Sequence, residues 1–177
     1  MIIVKKCSLT EDRFGNPDSA ILIELGGYAT LPSGIYFDPE TGGFTFMLWI
    51  KLLSLNAWQP IIDIGSGQNE DNIMLRFKSI TILNANIVND NIHKKLDSPT
   101  DNLEQVWTHI ALSVEGFTVN IYINGELSRS QTGFPYRKIE RTSNFIGRNN
   151  WGQEIHAMLD DLKIFNKSLI RLKFRAK

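Results

Sequence analysis

The sequence predicts an all-β fold, an antiparallel β-sandwich, and three observations carry that expectation. The periodic segments alternate apolar and polar residues with a period of two. Turn-forming clusters punctuate them at short, even intervals. No window shows the i, i+3, i+4 recurrence of an amphipathic helix, except the tail after Asn166. The chain has 177 residues, 42% hydrophobic and 10% aromatic, enough for a single domain with a buried core.

The segment 107–124, WTHIALSVEGFTVNIYIN, reads as a hairpin. With Glu115-Gly116 as its two-residue loop, Val114 pairs with Phe117, Leu112 with Val119, Ile110 with Ile121 and Thr108 with Ile123. That register puts Ile110, Leu112, Val114, Phe117, Val119, Ile121 and Ile123 on a core face. The other face carries Trp107, His109, Ala111, Ser113, Thr118, Asn120 and Tyr122. The segment 44–52, FTFMLWIKL, alternates likewise, with Phe44, Phe46, Leu48 and Ile50 opposed to Thr45, Met47, Trp49 and Lys51. Further strands are expected at 20–25, 60–64, 73–77, 79–83, 144–147 and 157–165, bounded by GG, TGG, GSG, NG and RNNWG. The polar, Asn-rich segment 84–106 reads as a weak strand near NIHKKL followed by a surface loop. No internal repeat or second domain is visible.

Charge and cysteine content narrow the function. Lys plus Arg and Asp plus Glu both number 19, so no concentrated basic character points to nucleic acid or an anionic membrane. Cys7 is the only cysteine, which excludes an internal disulfide framework and a multi-thiolate metal site. The N-terminal apolar run is too short for a signal-peptide core, and no stretch is long enough to span a membrane. The ending RLKFRAK looks like an arbitrary stopping place, which suggests a chain excised from a longer parent.

Three stretches in order, FTFMLWIKL, WTHIALSVEGFTVNIYINGEL and NFIGRNNW…AMLDDLKIFNKSL, together resemble the laminin-G-like and concanavalin A-like jelly-roll domains, a superfamily that includes pentraxins and legume lectins. The resemblance covers residues 11–169, with DRFGNPDSAILIE similar to the family's first strand and its lead-in. It departs at the end, where a basic tail replaces the usual Ser-x-x-Glu-Ile, and segment 84–106 matches nothing specific. The superfamily hosts enzymes, lectins and adhesion modules alike, so function must be read from the site.

Glycoside hydrolysis needs two carboxyl groups facing one another across the sugar bond, and no same-face pair of acids is evident. Asp160 and Asp161 are adjacent, so on a regular strand they diverge. No nucleophile signature appears, and His93, His109 and His156 lack zinc-site spacing. The resemblance implies a structural Ca²⁺ held by Asp160 with backbone carbonyls, and the acidic loop DIGSGQNEDN offers an alternative site where Asp63, Asn69 and Asp71 could gather oxygens around a turn. For a sugar, the candidates are aromatic and planar polar residues in turns: Trp151, Arg148, Asn149 and Asn150 in GRNNWG, and Trp58 in LNAWQP. His109, Asn120 and Tyr122 join them from the polar face of the hairpin. Trp49, Trp107 and His109 occupy positions typical of the whole family, which favours packing beneath loops over ligand contact.

The resulting expectation is a non-catalytic module for lectin-like carbohydrate recognition or adhesion, extracellular or at the cell surface, whose partner is a glycan or an extracellular protein. The triplet NKS at 166–168, a formal N-glycosylation acceptor, agrees with that setting. The alternative is a protein–protein interaction module without a sugar site.

Overall fold

The computed structural model describes residues 3–54 and 57–169. Twelve strands follow in order: β1 Val4–Thr10, β2 Ala20–Thr30, β3 Phe44–Ser54, β4 Gln59–Gly65, β5 Ile73–Ser79, β6 Ile82–Asn89, β7 Ile92–Pro99, β8 Trp107–Glu115, β9 Thr118–Ile123, β10 Glu126–Thr132, β11 Ser143–Ile146 and β12 His156–Phe165. The one helical turn among the described residues is a 3₁₀ turn at Pro39–Thr41, capped by the Asp38 carboxylate, which accepts from the Glu40 amide. The all-β antiparallel expectation holds. The helix expected after Asn166 falls largely on residues outside those described, and 166–169 is not helical.

Hydrogen bonding runs through the strands in the order β10-β9-β8-β3-β12-β2-β11-β4-β5-β6-β7, with β1 paired to β2 off this path. The path folds into two layers, and one apolar cluster joins them: Phe46, Leu48, Ile110 and Ile121 from β3, β8 and β9 pack with Ile62, Leu75, Phe77 and Leu83 from β4 to β6. β2 passes between the layers, since Ile21–Ile23 pair with β12 while Ala29 and Thr30 pair with β11. The change of partner falls between Ile23 and Ala29, a stretch that holds Gly27, where an added Cβ would sit 2.6 Å from the Lys6 carbonyl oxygen and 2.7 Å from that of Glu24. A strand that switches sheets in this way is how a sandwich turns a corner. The two ends of the path meet where the Ser98 hydroxyl of β7 donates to Ser128 of β10 at 2.6 Å.

The hairpin of β8 and β9 corrects the expected register. Leu112 pairs with Ile121, Val114 with Val119 and Glu115 with Thr118, so the loop is Gly116-Phe117. Gly116 takes a φ of 54° at the first central position, where glycine meets the demand of a tight hairpin turn at no steric cost. A slip of two residues preserves which face each side chain occupies. The core face therefore stands as expected apart from Phe117, which moves into the loop and is 52% exposed.

The segment 84–106 is the larger correction. It holds most of β6 and all of β7, joined at Asp90-Asn91, whose φ values of 50° and 62° fit a type I′ turn. The alternation was present in the sequence. Leu83, Ala85 and Ile87 point inward, and Asn84 and Asn86 lie between them. Asparagines on the outward face hid it.

The register gives a direct test. Phe117→Ser should leave stability within about 0.5 kcal/mol of wild type, whereas Ile121→Ala should cost about 2–5 kcal/mol, read as shifts in urea midpoint. Equal losses would contradict the loop assignment.

Candidate functional site

Cross-strand pairing aligns two outward rows on the layer of β4 to β7. One row runs Asp63, Met74, Asn86, Lys95; the next runs Pro60, Arg76, Asn84, Asp97. Met74, Asn86 and Lys95 of the first row and Arg76 of the second line a cleft of about 350 Å³. Met74 and Asn86 lie buried at its base, Arg76 and Lys95 reach in from the strands, and His93, Asn69, Gln153 and Trp151 close its sides.

The polar residues of this face form a chain. Arg76 Nε donates to Asn84 Oδ1 at 2.9 Å, and Asn84 Nδ2 donates to Asp97 Oδ1 at 2.6 Å. Lys78 Nζ holds the other oxygen of Asp97 at 2.5 Å. The neutral His93 ring fits its surroundings, with Nε2 donating to Asn69 Oδ1 at 2.9 Å and Nδ1 accepting from Asn86 Nδ2 at 3.2 Å. Asn86 Oδ1 is buried, with no partner among the described residues. Burial pulls the Arg76 guanidinium below its ordinary pKa against the attraction of Asp63 and Asp97. Arginine still remains cationic at neutral pH.

The turn 148–152 presents Trp151, and the two asparagines in it serve that end. Asn149 Oδ1 accepts from the Trp151 amide at 3.1 Å and the Gln153 amide at 2.9 Å, while its Nδ2 donates to Gln153 Oε1 at 2.7 Å. Asn150 is fastened to Asp63, whose Oδ2 accepts from the Asn150 amide at 2.9 Å and from its Nδ2 at 3.0 Å. Asn72 Nδ2 donates to the other Asp63 oxygen at 2.8 Å. Burial pushes the Asp63 carboxyl above the ordinary carboxylate range, and hydrogen bonds from Asn150 and Asn72 oppose that push. Asp63 is thus the post to which the Trp151 turn is tied.

Each expected site residue can now be placed. Trp151, 36% exposed, stands at the cleft. Trp58, with a φ of 67°, lies under the Arg76 guanidinium at 4.6 Å and near Lys78 at 5.7 Å, so Arg76 connects it to the cleft. Asn149 and Asn150 spend their polar atoms inside the protein. Arg148 stacks over Tyr28 at 4.9 Å and Phe145 at 5.8 Å, away from the cleft lining. His109, Asn120 and Tyr122 sit on the outer face of the other layer. There Tyr122 packs with Ala111 and Leu169, and Ser113, opposite Asn120, donates to the Leu169 carbonyl at 3.2 Å. His109 rests edge-on against Trp49 at 5.4 Å. The structure does not bring these three together with the tryptophans of the turns.

Arg76, Asn86, His93 and Lys95 were missed as site residues because three of them lie in or beside the segment read as a weak strand and a loop. The signal was the alternation of 83–88 with the Asp90-Asn91 turn behind it.

The metal candidates arrange differently from a cation cage. Asp160 is paired with Arg13 Nη1, and Arg13 Nη2 holds Asp161 at 3.1 Å. The two acids converge, contrary to the expectation that adjacent residues diverge, because β12 bulges between Asp160 and Lys163 and Asp161 takes a φ of 52°. Burial raises the Asp161 carboxyl, but Lys163 and Arg13 outweigh it and hold the group below the ordinary carboxylate range. The alternative trio separates: Asp63 serves the asparagines, Asn69 serves His93, and Asp71 accepts from Nε and Nη2 of Arg137 at 2.9 and 2.6 Å. Among the described residues no three His, Cys, Asp or Glu side chains gather in one place. A hard cation wants six to eight oxygens, and these donor sets suit guanidinium and amide partners instead.

Two predictions arise here. Asp63→Ala leaves buried donors unpaired and should cost about 2–4 kcal/mol, with faster hydrogen exchange at the Asn150 and Trp151 amides. The second concerns pH. Burial depresses both His93 and His109, with Lys95 and Arg76 adding for His93, and Arg13 and Lys163 adding for His109. Their folded pKa values lie below the unfolded value of about 6.5, so the unfolded state binds more protons in that window. The stability they supply is complete above about 6.5 and drains away as pH falls through the folded values. The urea midpoint should therefore fall between pH 7 and pH 5, and the double variant His93→Gln/His109→Gln should flatten that slope.

Comparison with known proteins places the chain. The concanavalin A-like lectin/glucanases superfamily, through its laminin-G-type family model, matches residues 24–171. No curated protein matches. Among solved structures, the binding domain of Paraclostridial Mosquitocidal Protein 1 aligns with a TM-score of 0.75 at 16% identity, covering 99% of this chain and 46% of that one. Domain 4 of AbnA, a GH43 extracellular arabinanase from Geobacillus stearothermophilus in complex with arabinotriose, aligns at 0.71 with 20% identity, covering 99% and 80%. The receptor-binding domain of botulinum neurotoxin mosaic serotype C/D aligns at 0.75 with 14% identity, covering 99% and 44%. The chain thus spans less than half of the toxin binding domains it resembles, and at these identities the likeness speaks for the fold. No helix among the described residues is long and apolar enough to cross a membrane. Two packed β-layers, the strand that turns the corner between them and the family match over most of the chain agree: this chain belongs to the concanavalin A-like lectin/glucanases superfamily, as a laminin-G-type domain.

Proposed function

We propose that this domain is a non-catalytic carbohydrate-binding module, working outside the cell or at its surface, that receives sugar in the cleft on β5 to β7. The observation that carries this reading is the cleft's composition: an indole at the side, an arginine and two buried floor residues beneath, and amides around them. Sugar rings offer C–H faces to an indole and paired hydroxyls to planar polar groups, which is what Trp151, Arg76, Asn86 and Gln153 provide. The buried, unpartnered Asn86 Oδ1 suits a hydroxyl donor brought by a ligand. None of the described residues lining the cleft is an acid, so they do not supply the two carboxyl groups that glycoside hydrolysis uses. The family match and the arabinotriose complex of the AbnA domain support the same reading.

A second reading, a protein-docking module, draws on the edge strand β1 and its neighbour β2, where Val4, Leu9 and Ile21 are 61%, 64% and 47% exposed. Exposed apolar side chains along an unpaired edge are features that partners use.

A glycan array followed by isothermal titration separates the two. Trp151→Ala should weaken the best glycan by about tenfold to a hundredfold, in line with about 1–3 kcal/mol for a stacked aromatic at a binding site. Trp58→Ala should weaken it less, through loosened Arg76. Unchanged affinity in Trp151→Ala would dismiss the cleft. An array with no binder would favour the docking surface.

A further inference from the structure

We infer that the cleft selects an anionic sugar, one bearing a carboxylate or a sulfate ester, with Arg76 and Lys95 as its charge-reading residues. This rests on the carbohydrate-binding reading and goes beyond it by fixing the chemical class of ligand.

The basis is an unbalanced local charge in a chain whose total charge is zero. Arg76 is 9% exposed, and its hydrogen-bonded partner within the protein is a neutral amide, Asn84. Among the described residues it pairs directly with no carboxylate. A buried cation is costly unless an anion compensates it. The two acids nearest in this layer are already engaged. Asp63 accepts from Asn72 and twice from Asn150, and Asp97 is shared between Lys78 and Asn84. They temper the Arg76 charge from a distance without closing on it.

Lys95 stands in the adjoining row, opposite Asn86, exposed and without an ion pair among the described residues. Among the described residues, a ligand on the Met74 and Asn86 floor therefore meets two cations and no acid. The stack of Arg76 on Trp58 fixes the guanidinium plane, and among the described residues only Nε is spent, on Asn84. Its two terminal nitrogens are left for the forked contact that carboxylate and sulfate oxygens accept.

The probes are matched pairs: a galacturonic acid trimer against its methyl ester, and a sulfated galactan oligomer against its desulfated form, each titrated against the whole chain. Binding of at least one anionic member, at about tenfold or more over its neutral twin, is the expected result. The selective pair also tells carboxylate from sulfate. Lys95→Gln, on an exposed strand position where folding is little affected, should erase several-fold of that preference. Arg76→Lys should retain part of it and Arg76→Gln should abolish it, with circular dichroism and the melting midpoint checking that each variant folds. Should Arg76→Gln fail to fold, Lys95→Gln decides alone. Equal binding of charged and neutral twins would overturn this inference and leave the carbohydrate reading standing. Binding of neither twin, with no neutral glycan bound on an array, would overturn both.

Discussion

Inward packing across four strands is the constraint on which the rest of the molecule rests. Ile62, Leu75, Ala85 and Leu96 stand in one cross-strand row, each 5% exposed or less. Successive residues of a strand point to opposite faces, so burying this row forces Asp63, Met74, Asn86 and Lys95 outward, with Arg76, Asn84 and Asp97 alongside. A slip of one residue would turn Asp63, Arg76, Asn84, Asn86 or Lys95 toward the core, depending on the strand and the direction. Register is thus enforced by hydrophobic burial, and the polar face is its consequence.

That face then needs a ligand-presenting edge, which the loops supply. Asp63 links the two parts, because it sits in the outward row while tying down Asn150 and hence the Trp151 turn. The charge arrangement is uneven for a reason of the same kind. Carboxylates on this face are consumed by structural hydrogen bonds, whereas the cations Arg76 and Lys95 are held in place by packing and a strand position. The opposite layer shows the converse. Its acids, Asp160 and Asp161, meet Arg13, and its polar stripe is covered by the segment leading to Leu169.

How much of this was legible in the sequence differs from residue to residue. Phe44, Phe46, Leu48 and Ile50 on β3 declared their burial through simple alternation, as did Ile110, Leu112 and Val114 on β8. Trp151 and Trp58 were legible as turn tryptophans. Asn149 and Asn150 looked like ligand groups but shape the turn, since a sequence does not show whether an amide faces a ligand or its own backbone. Phe117 was misplaced because either Glu115-Gly116 or Gly116-Phe117 can form the loop, and only the register of the whole hairpin decides between them. The convergence of Asp160 and Asp161 depends on a bulge, which alternation cannot register.

Composition and period by themselves determined the layered antiparallel fold, its apolar face and the absence of a general basic surface, because these are set by local side-chain chemistry and a two-residue repeat. Tertiary structure alone decided which polar residues share a face. Arg76, Asn86, His93 and Lys95 come from three strands, and they meet because hydrogen-bonded pairing brings distant positions within side-chain reach. It also decided that His109, Asn120 and Tyr122 belong elsewhere, since the corner in β2 sends the two layers' outer faces in opposite directions. Distance in space between strands is a property of their pairing, and pairing is not written in any one strand's residues.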